Sequence, residues 1–198
     1  MKKLSPRFYA DAVLTVARKL VGCFLVRELA EGRIVGRINE VEAYDGAIDK
    51  ACHAFGDRRT ARNEPLFRNG GIAHVYLIYG RYYCLNAVTG KESAPAAVLL
   101  RGIEVLESLD MATGNRYGKS PAELTKQQRK NLTNGPGKLC CALAIDRLFD
   151  LEPLDGDRLY ICEQIGGRRK SVSTIRESVR IGIDYAEEAK LFPWRFTG

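Results

Sequence analysis

The sequence lacks long apolar runs. Its longest apolar stretches, residues 75–79 and 94–100, have the length of strands, whereas a membrane-spanning helix needs about 18 apolar residues. The basic residues near the start are followed by Ser-Pro-Arg at 5–7 rather than by the apolar core of a signal peptide. We therefore expect an intracellular protein that has no membrane partner.

Metal-binding and cofactor-binding motifs are also missing. The chain has two histidines, no Cys-x-x-Cys spacing and no His-Glu-x-x-His motif, so we expect no metal site and no cofactor. The absence of dinucleotide, kinase and nucleophile-elbow fingerprints argues against those enzyme classes. Four of the six cysteines lie in apolar segments, which predicts buried, reduced thiols rather than disulfides.

The remaining composition is that of a globular protein with a moderate positive charge. Apolar residues make up 45% and charged residues 28%, which excludes collagen-like and disordered chains. Thirty-one basic residues against 24 acidic ones give a net charge of +7, and basic clusters occur at 57–68, 116–130 and 168–170. The charge favours a polyanionic partner such as nucleic acid, although solvated loops and helix faces explain it as well.

Hydrophobic periodicity and turn residues predict a mixed α+β fold. Apolar spacing after Ser5-Pro6 predicts one helix to residue 20, and a capping box at 120–123 predicts another toward residue 130. A third helix is predicted at 136–145, and strands are predicted at 23–29, 33–44, 72–79, 82–88, 94–105, 158–163 and 179–184. Since no repeat or linker is present, residues 1–198 are predicted to form a single domain.

Two carboxylates stand at alternate positions near the end of the 33–44 strand. Glu40 and Glu42 point to one face because strand side chains alternate, and Glu42 is predicted to share a face with Ile34 and Ile38. A carboxylate there, beside the long irregular segment 45–71, could activate water as a general base. The alternative is a pair of exposed strand-end charges.

The predicted hairpin at 72–88 is unusually rich in tyrosine. An aromatic side chain at its tip, beside arginine, suits stacking on bases or wedging between base pairs. The alternative is an edge hairpin packed on the core. His53, in the loop before the hairpin, is either a satisfied loop histidine or a base.

Two basic residues have positions that require a partner. Arg101 interrupts an otherwise buried strand, so it needs a carboxylate such as Glu42 or Glu104, or a substrate phosphate, unless its head reaches water. Lys138 follows Asn-Gly-Pro-Gly at the start of a helix, where it could contact phosphate.

In combination, these segments resemble the alkyladenine (3-methyladenine) DNA glycosylase family of the type without a helix-hairpin-helix. The resemblance covers residues 20 to 196. It rests on ordered blocks: Glu-Val-Glu-Ala-Tyr at 40–44, His53, Arg-Thr-Ala-Arg-Asn at 59–63, Tyr-Leu-Ile-Tyr-Gly at 76–80, Asn86, Val-Leu-Leu-Arg at 98–101, Gly-Pro-Gly-Lys-Leu at 135–139 and Arg-Phe at 195–196. No single block is decisive, but the ordered set with matching spacing is specific.

The resemblance implies a single α+β domain with a curved antiparallel sheet, flanking helices and a hairpin that enters the DNA minor groove. It implies that Glu42 is the general base, that Arg101 lies beside the catalytic water, and that Tyr79 intercalates. The implied base pocket consists of Tyr44, His53, Tyr76 and Asn86. Contacts to the DNA backbone are expected from Arg59, Arg62, Arg81 and Lys138, although Arg81 stands where family members carry an apolar residue.

The implied activity is base-excision repair. A monomer would flip 3-methyladenine, 7-methylguanine, hypoxanthine or ethenoadenine out of double-stranded DNA and hydrolyse the N-glycosidic bond without cutting the strand. In a bacterium its location would be the cytoplasm or nucleoid. Two alternatives stay open: a non-catalytic nucleic-acid-binding protein, and a hydrolase or acyl-type enzyme acting on a small metabolite.

Overall fold

A computed structural model describes residues 1–172 and 174–198. Within these ranges ten strands form one antiparallel sheet, which curves into a half-barrel, and short helices flank it. The strands are β1 (Lys2–Lys3), β2 (Phe24–Leu29), β3 (Gly32–Asp45), β4 (Ala73–Ile78), β5 (Tyr82–Thr89), β6 (Ala96–Glu107), β7 (Leu159–Ile165), β8 (Arg168–Arg169), β9 (Arg176–Ser178) and β10 (Arg195–Thr197). The helices are α1 (Pro6–Tyr9), α2 (Val13–Leu20), α3 (Leu109–Tyr117), α4 (Lys126–Lys130) and α5 (Pro136–Ala142). The predicted α+β class is confirmed.

The sheet has the strand order β1-β7-β2-β3-β6-β5-β4, and β10 pairs with both β3 and β9. The long strands β3 and β6 lie at its centre. On one face, α2, α3 and α5 bury their apolar side chains against the sheet in the principal core. On the other face, the segment 46–71 and the segment 180–192 pack around Tyr44 in two smaller apolar clusters. A functional site can therefore form between these two segments, on the face of the sheet that carries Tyr44.

Bulges interrupt the pairing of the two central strands. The register between β3 and β6 shifts after Ile38 and again after Glu40, so Asn39 and Arg101 have no directly opposed residue. Bulges bend a strand and redirect side chains, and they occur frequently beside active sites.

The bulge reverses the alternation of side chains along β3. Ile34 and Ile38 face the principal core before it, whereas Val41 and Ala43 face that core after it. Glu42 therefore points to the opposite face of the sheet. The prediction that Glu42 shares a face with Ile34 and Ile38 is wrong, because one extra residue in a strand moves every later side chain to the other side.

The predicted helix over residues 5–20 is two helices. The carbonyl oxygen of Tyr9 accepts a hydrogen bond from the Gly90 N–H at 2.8 Å, and it is therefore not used to continue the helix. Ala12 has an extended backbone, and α2 begins at the next residue.

The capping box at 120–123 is present, but it does not begin a helix that reaches residue 130. The Glu123 carboxylate accepts hydrogen bonds from the backbone and hydroxyl of Ser120, and this closes one 3₁₀ turn. Leu124 then extends and buries its side chain. A second capping box, Thr125 with Gln128, starts α4.

Two further segments differ from prediction. Helix α3 was not predicted, because few of its side chains face the core; only Ala112 and Thr113 are buried. The strand predicted at 179–184 does not form. Gly182 has a φ of +76° there, and the Ile181 N–H bonds to a side chain rather than to a neighbouring strand.

All six cysteines are free and five are buried, which confirms the prediction of reduced thiols. None of the helices in the described ranges combines the length and the apolar character that crossing a membrane requires.

Candidate active site

Glu42 and Arg101 meet between β3 and β6. Nη1 of Arg101 donates to Oε2 of Glu42 at 3.2 Å, and its Nε donates to Oε1 of Glu40 at 2.9 Å. Both carboxylates lie on one side of β3, as their spacing predicts. The prediction that a carboxylate partners Arg101 is confirmed for Glu42. Glu104 pairs with Arg37 instead, and its Oε2 lies 3.6 Å from Nη1 of Arg37.

The Glu42 carboxylate is completely buried and is held by donors from three directions. Oε1 accepts from the Ile181 N–H at 2.8 Å, and Oε2 accepts from the Tyr44 hydroxyl at 2.9 Å as well as from Arg101. Burial raises the pKa of Glu42 above its usual 4.5, and the charge of Arg101 with these two hydrogen bonds offsets part of that rise. A fixed carboxylate with a raised pKa suits a general base.

The hairpin of β4 and β5 carries Tyr79 at its tip. The Arg81 N–H bonds to the Ile78 carbonyl, and Tyr79 and Gly80 have φ values of +50° and +68°, as in a type I′ turn. A positive φ is strained for a residue with a side chain. The Tyr79 side chain is nonetheless 87% exposed, so the strain serves no packing within this chain.

A cleft of about 800 Å³ lies between the hairpin, the segment 46–71 and the loop around Ile181. Its volume falls in the range of ligand-binding pockets. Eight of the eleven predicted site residues line it: Tyr44, His53, Arg62, Tyr76, Tyr79, Asn86, Arg101 and Lys138. Glu42 lies directly behind Tyr44, Arg101 and Ile181, all three of which line the cleft.

Aromatic rings and an amide form the inner part of the cleft. The rings of His53 and His74 lie 5.0 Å and 5.2 Å from that of Tyr76. Desolvation lowers the pKa of His53 below its usual 6.5, and the nearby Arg62 and His74 lower it further. His53 therefore favours its neutral form at neutral pH. Asn86 is buried, and its Nδ2 donates to the His74 carbonyl at 3.1 Å.

Comparison with known proteins agrees with this geometry. The sequence model of the methylpurine-DNA glycosylase family matches residues 7–198. A protein of Clostridium novyi named "Putative 3-methyladenine DNA glycosylase" is 47% identical over 99% of this chain and 94% of its own length. A protein of the same name from Clostridium acetobutylicum is 48% identical over 98% of this chain and 93% of its own. The chain belongs to the methylpurine-DNA glycosylase family.

Membership identifies the protein as a DNA glycosylase, a hydrolase of N-glycosyl bonds that acts in DNA repair. DNA is therefore its substrate. The two alternatives left open by the sequence, a non-catalytic nucleic-acid binder and an enzyme of small metabolites, do not apply.

The glycosylase's four predicted DNA-backbone residues lie in different surroundings. Arg59 makes two hydrogen bonds to the Glu64 carboxylate, whereas Arg62 donates to the Leu77 carbonyl and lies over the Tyr76 ring. The Arg81 guanidinium lies 5.6 Å from the ring centre of Tyr82, and Lys138 donates to the side-chain oxygens of Asn131 and Asn134. Arg59 and Arg81 do not line the cleft. Their role on DNA stays a prediction.

Sequence reasoning missed the residues that support the glycosylase's carboxylates. Arg195, on β10, donates to Glu40 at 2.7 Å, whereas the sequence marks it only as part of the Arg-Phe block at 195–196. Ile181 and Arg180 fell in the segment predicted to be a strand. Asp49, the buried partner of Arg180, stood in the irregular segment with no motif around it. Among these residues, only Arg180 carries a feature in the sequence that could have indicated its role, namely a charge between two apolar residues.

Proposed function

We propose that this glycosylase removes alkylated and deaminated purines from double-stranded DNA and leaves an abasic site. The proposed substrates are 3-methyladenine, 7-methylguanine, hypoxanthine and ethenoadenine. The observation that carries the proposal is the Glu42 carboxylate, fixed by three donors directly behind a cleft lined with aromatic rings. We further propose that the enzyme acts as a monomer, as the family resemblance implies, and that residues 1–198 form a single domain; the one sheet that includes all ten strands supports the single domain.

In this proposal the damaged base leaves the DNA helix and enters the cleft. A base stacked in a duplex does not present its glycosidic bond to an enzyme, and unstacking costs a few kcal/mol, least for a damaged or mispaired base. Tyr79, exposed at the hairpin tip, fills the space that the base vacates and slows its return. The strained backbone of Tyr79 is consistent with a residue held ready for this insertion.

The inner cleft suits a flat, electron-poor base. Tyr76 and Tyr44 offer π faces, and positively charged alkylpurines stack favourably on such faces. The Asn86 amide donates to a backbone carbonyl from its buried position, so it is fixed in orientation. In this account Asn86 disfavours the exocyclic amino group of guanine.

Glu42 acts as the general base. It orients a water molecule, takes its proton as the oxygen attacks C1′, and stabilises the positive charge that develops on the sugar. Tyr44, Arg101 and Ile181 line the cleft and donate to this carboxylate, and the attacking water reaches it from the cleft past these residues. 3-Methyladenine and 7-methylguanine carry a positive charge while attached to the sugar, so each leaves as a neutral base when its bond to C1′ breaks. Hypoxanthine and ethenoadenine are neutral, and each must take up a proton as it leaves.

We propose that the enzyme is monofunctional. A strand-cutting lyase step needs an amine that attacks C1′. Among the described residues that line the cleft, only Lys138 carries an amine, and two asparagine oxygens hold it.

The experiment is an excision assay on labelled duplexes that each carry one lesion, with an undamaged duplex as the control. Half of each sample is treated with hot alkali, which cuts at abasic sites. Cleavage that depends on both lesion and alkali is the expected result. Released bases, identified by chromatography, rank the four substrates. Absence of abasic product from every lesion would refute the proposal, and cleavage without alkali would refute the monofunctional assignment.

A further inference from the structure

Arg180 and Asp49 form a completely buried ion pair behind the cleft. Nη2 of Arg180 donates to Oδ1 of Asp49 at 2.7 Å, and Nη1 donates to Oδ2 in parallel. The same two nitrogens also donate to the carbonyl oxygens of Ala43 at 2.8 Å and Ala189 at 3.0 Å. One guanidinium thus joins β3 to two segments that are far apart in the sequence.

Aromatic rings fix the same guanidinium. Its central carbon lies 4.7 Å from the ring centre of Tyr44 and 5.2 Å from that of Trp194. Tyr44 is the residue whose hydroxyl donates to Glu42. Arg180 therefore supports the ring from which one of the three hydrogen bonds to Glu42 arises.

The next residue supplies a second of those hydrogen bonds. The Ile181 N–H donates to Oε1 of Glu42 at 2.8 Å. Consecutive Cα atoms are about 3.8 Å apart across a trans peptide, so the anchored Arg180 limits how far this N–H can move. Gly182, which follows with a φ of +76°, turns the chain away.

Stability alone gives a poor account of this pair. A buried ion pair loses so much hydration that well-packed apolar residues of similar volume often serve a fold as well or better. The geometry points to a functional role instead.

We propose that Arg180, held by Asp49, is a positioning residue that fixes Glu42 for water activation through Ile181 and Tyr44. The inference rests on the proposed role of Glu42 as the general base. Arg180 acts from behind the carboxylate and is not among the residues that line the cleft.

The proposal predicts a change in titration as well as in rate. The Ile181 hydrogen bond lowers the pKa of Glu42, so misplacing Ile181 raises that pKa and moves the acid limb of the excision profile to higher pH. Other titratable or charged groups lie near Glu42 and stay unchanged in the variants: Arg101 on β6, Glu40 and Tyr44 on β3, Cys84 on β5 and Arg195 on β10. The charge of Arg180 also acts on Glu42, and Arg180→Lys keeps that charge.

The experiment compares Arg180→Lys, and the double variant Arg180→Met with Asp49→Leu, against the wild type. The double variant removes both charges together, so it leaves no unpaired buried ion and is expected to fold. Val16 is buried on α2, so Val16→Ala leaves a cavity there and is the control for a loss of stability alone. Single-turnover excision rates against pH, duplex affinity and melting temperature are measured for each.

Both test variants are expected to bind duplex as the wild type does and to excise about tenfold to hundredfold more slowly at neutral pH, since small misplacements of catalytic groups cost this much. Part of the loss returns as the pH rises. A folded variant with the wild-type rate and acid limb would overturn the proposal. So would a loss that is the same at every pH and matches that of Val16→Ala.

A readout that needs no catalysis separates this inference from the proposed function. Titration of ¹³C-labelled glutamate by NMR, assigned with Glu42→Gln, reports the pKa of Glu42 directly. A higher pKa in Arg180→Lys, which keeps the positive charge that acts on Glu42, supports positioning even if the wild type released no base, and that absence would refute the proposed function alone. An unchanged pKa of Glu42 in Arg180→Lys would refute positioning alone.

Discussion

The Tyr44 hydroxyl donates a 2.9 Å hydrogen bond to Oε2 of Glu42, two residues earlier on the same strand. Strand alternation places both side chains on one face of β3, and the bulge before them turns that face toward the cleft side. The same oxygen accepts from Arg101. A single carboxylate oxygen thus links the pocket wall to the basic residue of the neighbouring strand.

The pH dependence of excision follows from the groups around Glu42. Burial raises the pKa of Glu42 above 4.5, so we expect the acid limb of kcat/KM to lie above that value. Arg101 lowers this pKa more than the Tyr44 hydrogen bond does. We therefore expect Arg101→Gln to move the limb to higher pH, and Tyr44→Phe to move it less. The check is single-turnover excision across pH; a limb at lower pH in either variant would contradict the account.

Removal of the hairpin aromatic should impair capture of the flipped base. With Tyr79→Ala, the vacated space in the stack stays open, and the base returns more readily. We expect a smaller change in ethenoadenine fluorescence on binding, together with slower excision. Leu148→Ala removes another exposed apolar side chain, 75% exposed and outside the cleft, and is the control. An unchanged fluorescence signal in Tyr79→Ala would show that the residue does not hold the base out.

Binding should weaken steeply with salt, because basic side chains release counterions from phosphate. Lys138→Ala is expected to reduce the slope of log affinity against log salt by about 1. Arg33→Ala, which removes a cation paired with Glu107 and outside the cleft, should leave it unchanged. Equal slopes for Lys138→Ala and the wild type would remove Lys138 from the DNA-binding surface.

Glu40 should stabilise the fold at neutral pH. Burial opposes its charge, but hydrogen bonds from Arg195 and Arg101 outweigh burial and hold the pKa of Glu40 below 4.5. We expect Glu40→Gln to lower the free energy of unfolding by roughly 1.5–3 kcal/mol at neutral pH. A depressed pKa gives stability that is present above the unfolded-state value and is lost as the pH falls through the folded-state value. Denaturant unfolding at several pH values should therefore show the difference shrinking in acid; a constant difference would contradict this.

The main strands of the sheet could be predicted from the sequence, but the bulge in β3 could not. Alternating and continuous apolar runs predicted the strands around Glu42, Tyr79 and Arg101, and the charge of Arg101 in a buried run predicted its carboxylate partner. The bulge at Asn39 was not predictable, since its cause is pairing with a strand some 60 residues later along the chain. Local apolar pattern therefore placed Glu42 on the wrong face.

The segment around Arg180 shows the same limit. Val179, Ile181 and Ile183 alternate as strand residues do, and this pattern predicted a strand. Contacts with residues distant in sequence determine the backbone conformation instead, because Asp49 binds Arg180 and Glu42 binds the Ile181 N–H. The blocks of the family resemblance located most cleft residues. Of the residues that hold them in place, Arg195 stands in one of these blocks and Arg180 is marked only by its charge between apolar residues, whereas Asp49 has no local signal.

The central claim is that Glu42 activates water. Single-turnover excision of a hypoxanthine-containing duplex by Glu42→Gln tests it most directly, together with duplex affinity. Glu104→Gln makes the same chemical change on the neighbouring strand, outside the cleft, and is the control. General-base catalysis contributes about 10²- to 10⁴-fold, so we expect Glu42→Gln to lose at least about a hundredfold in rate while it still binds the lesion. Excision by Glu42→Gln at the rate of Glu104→Gln would contradict the account.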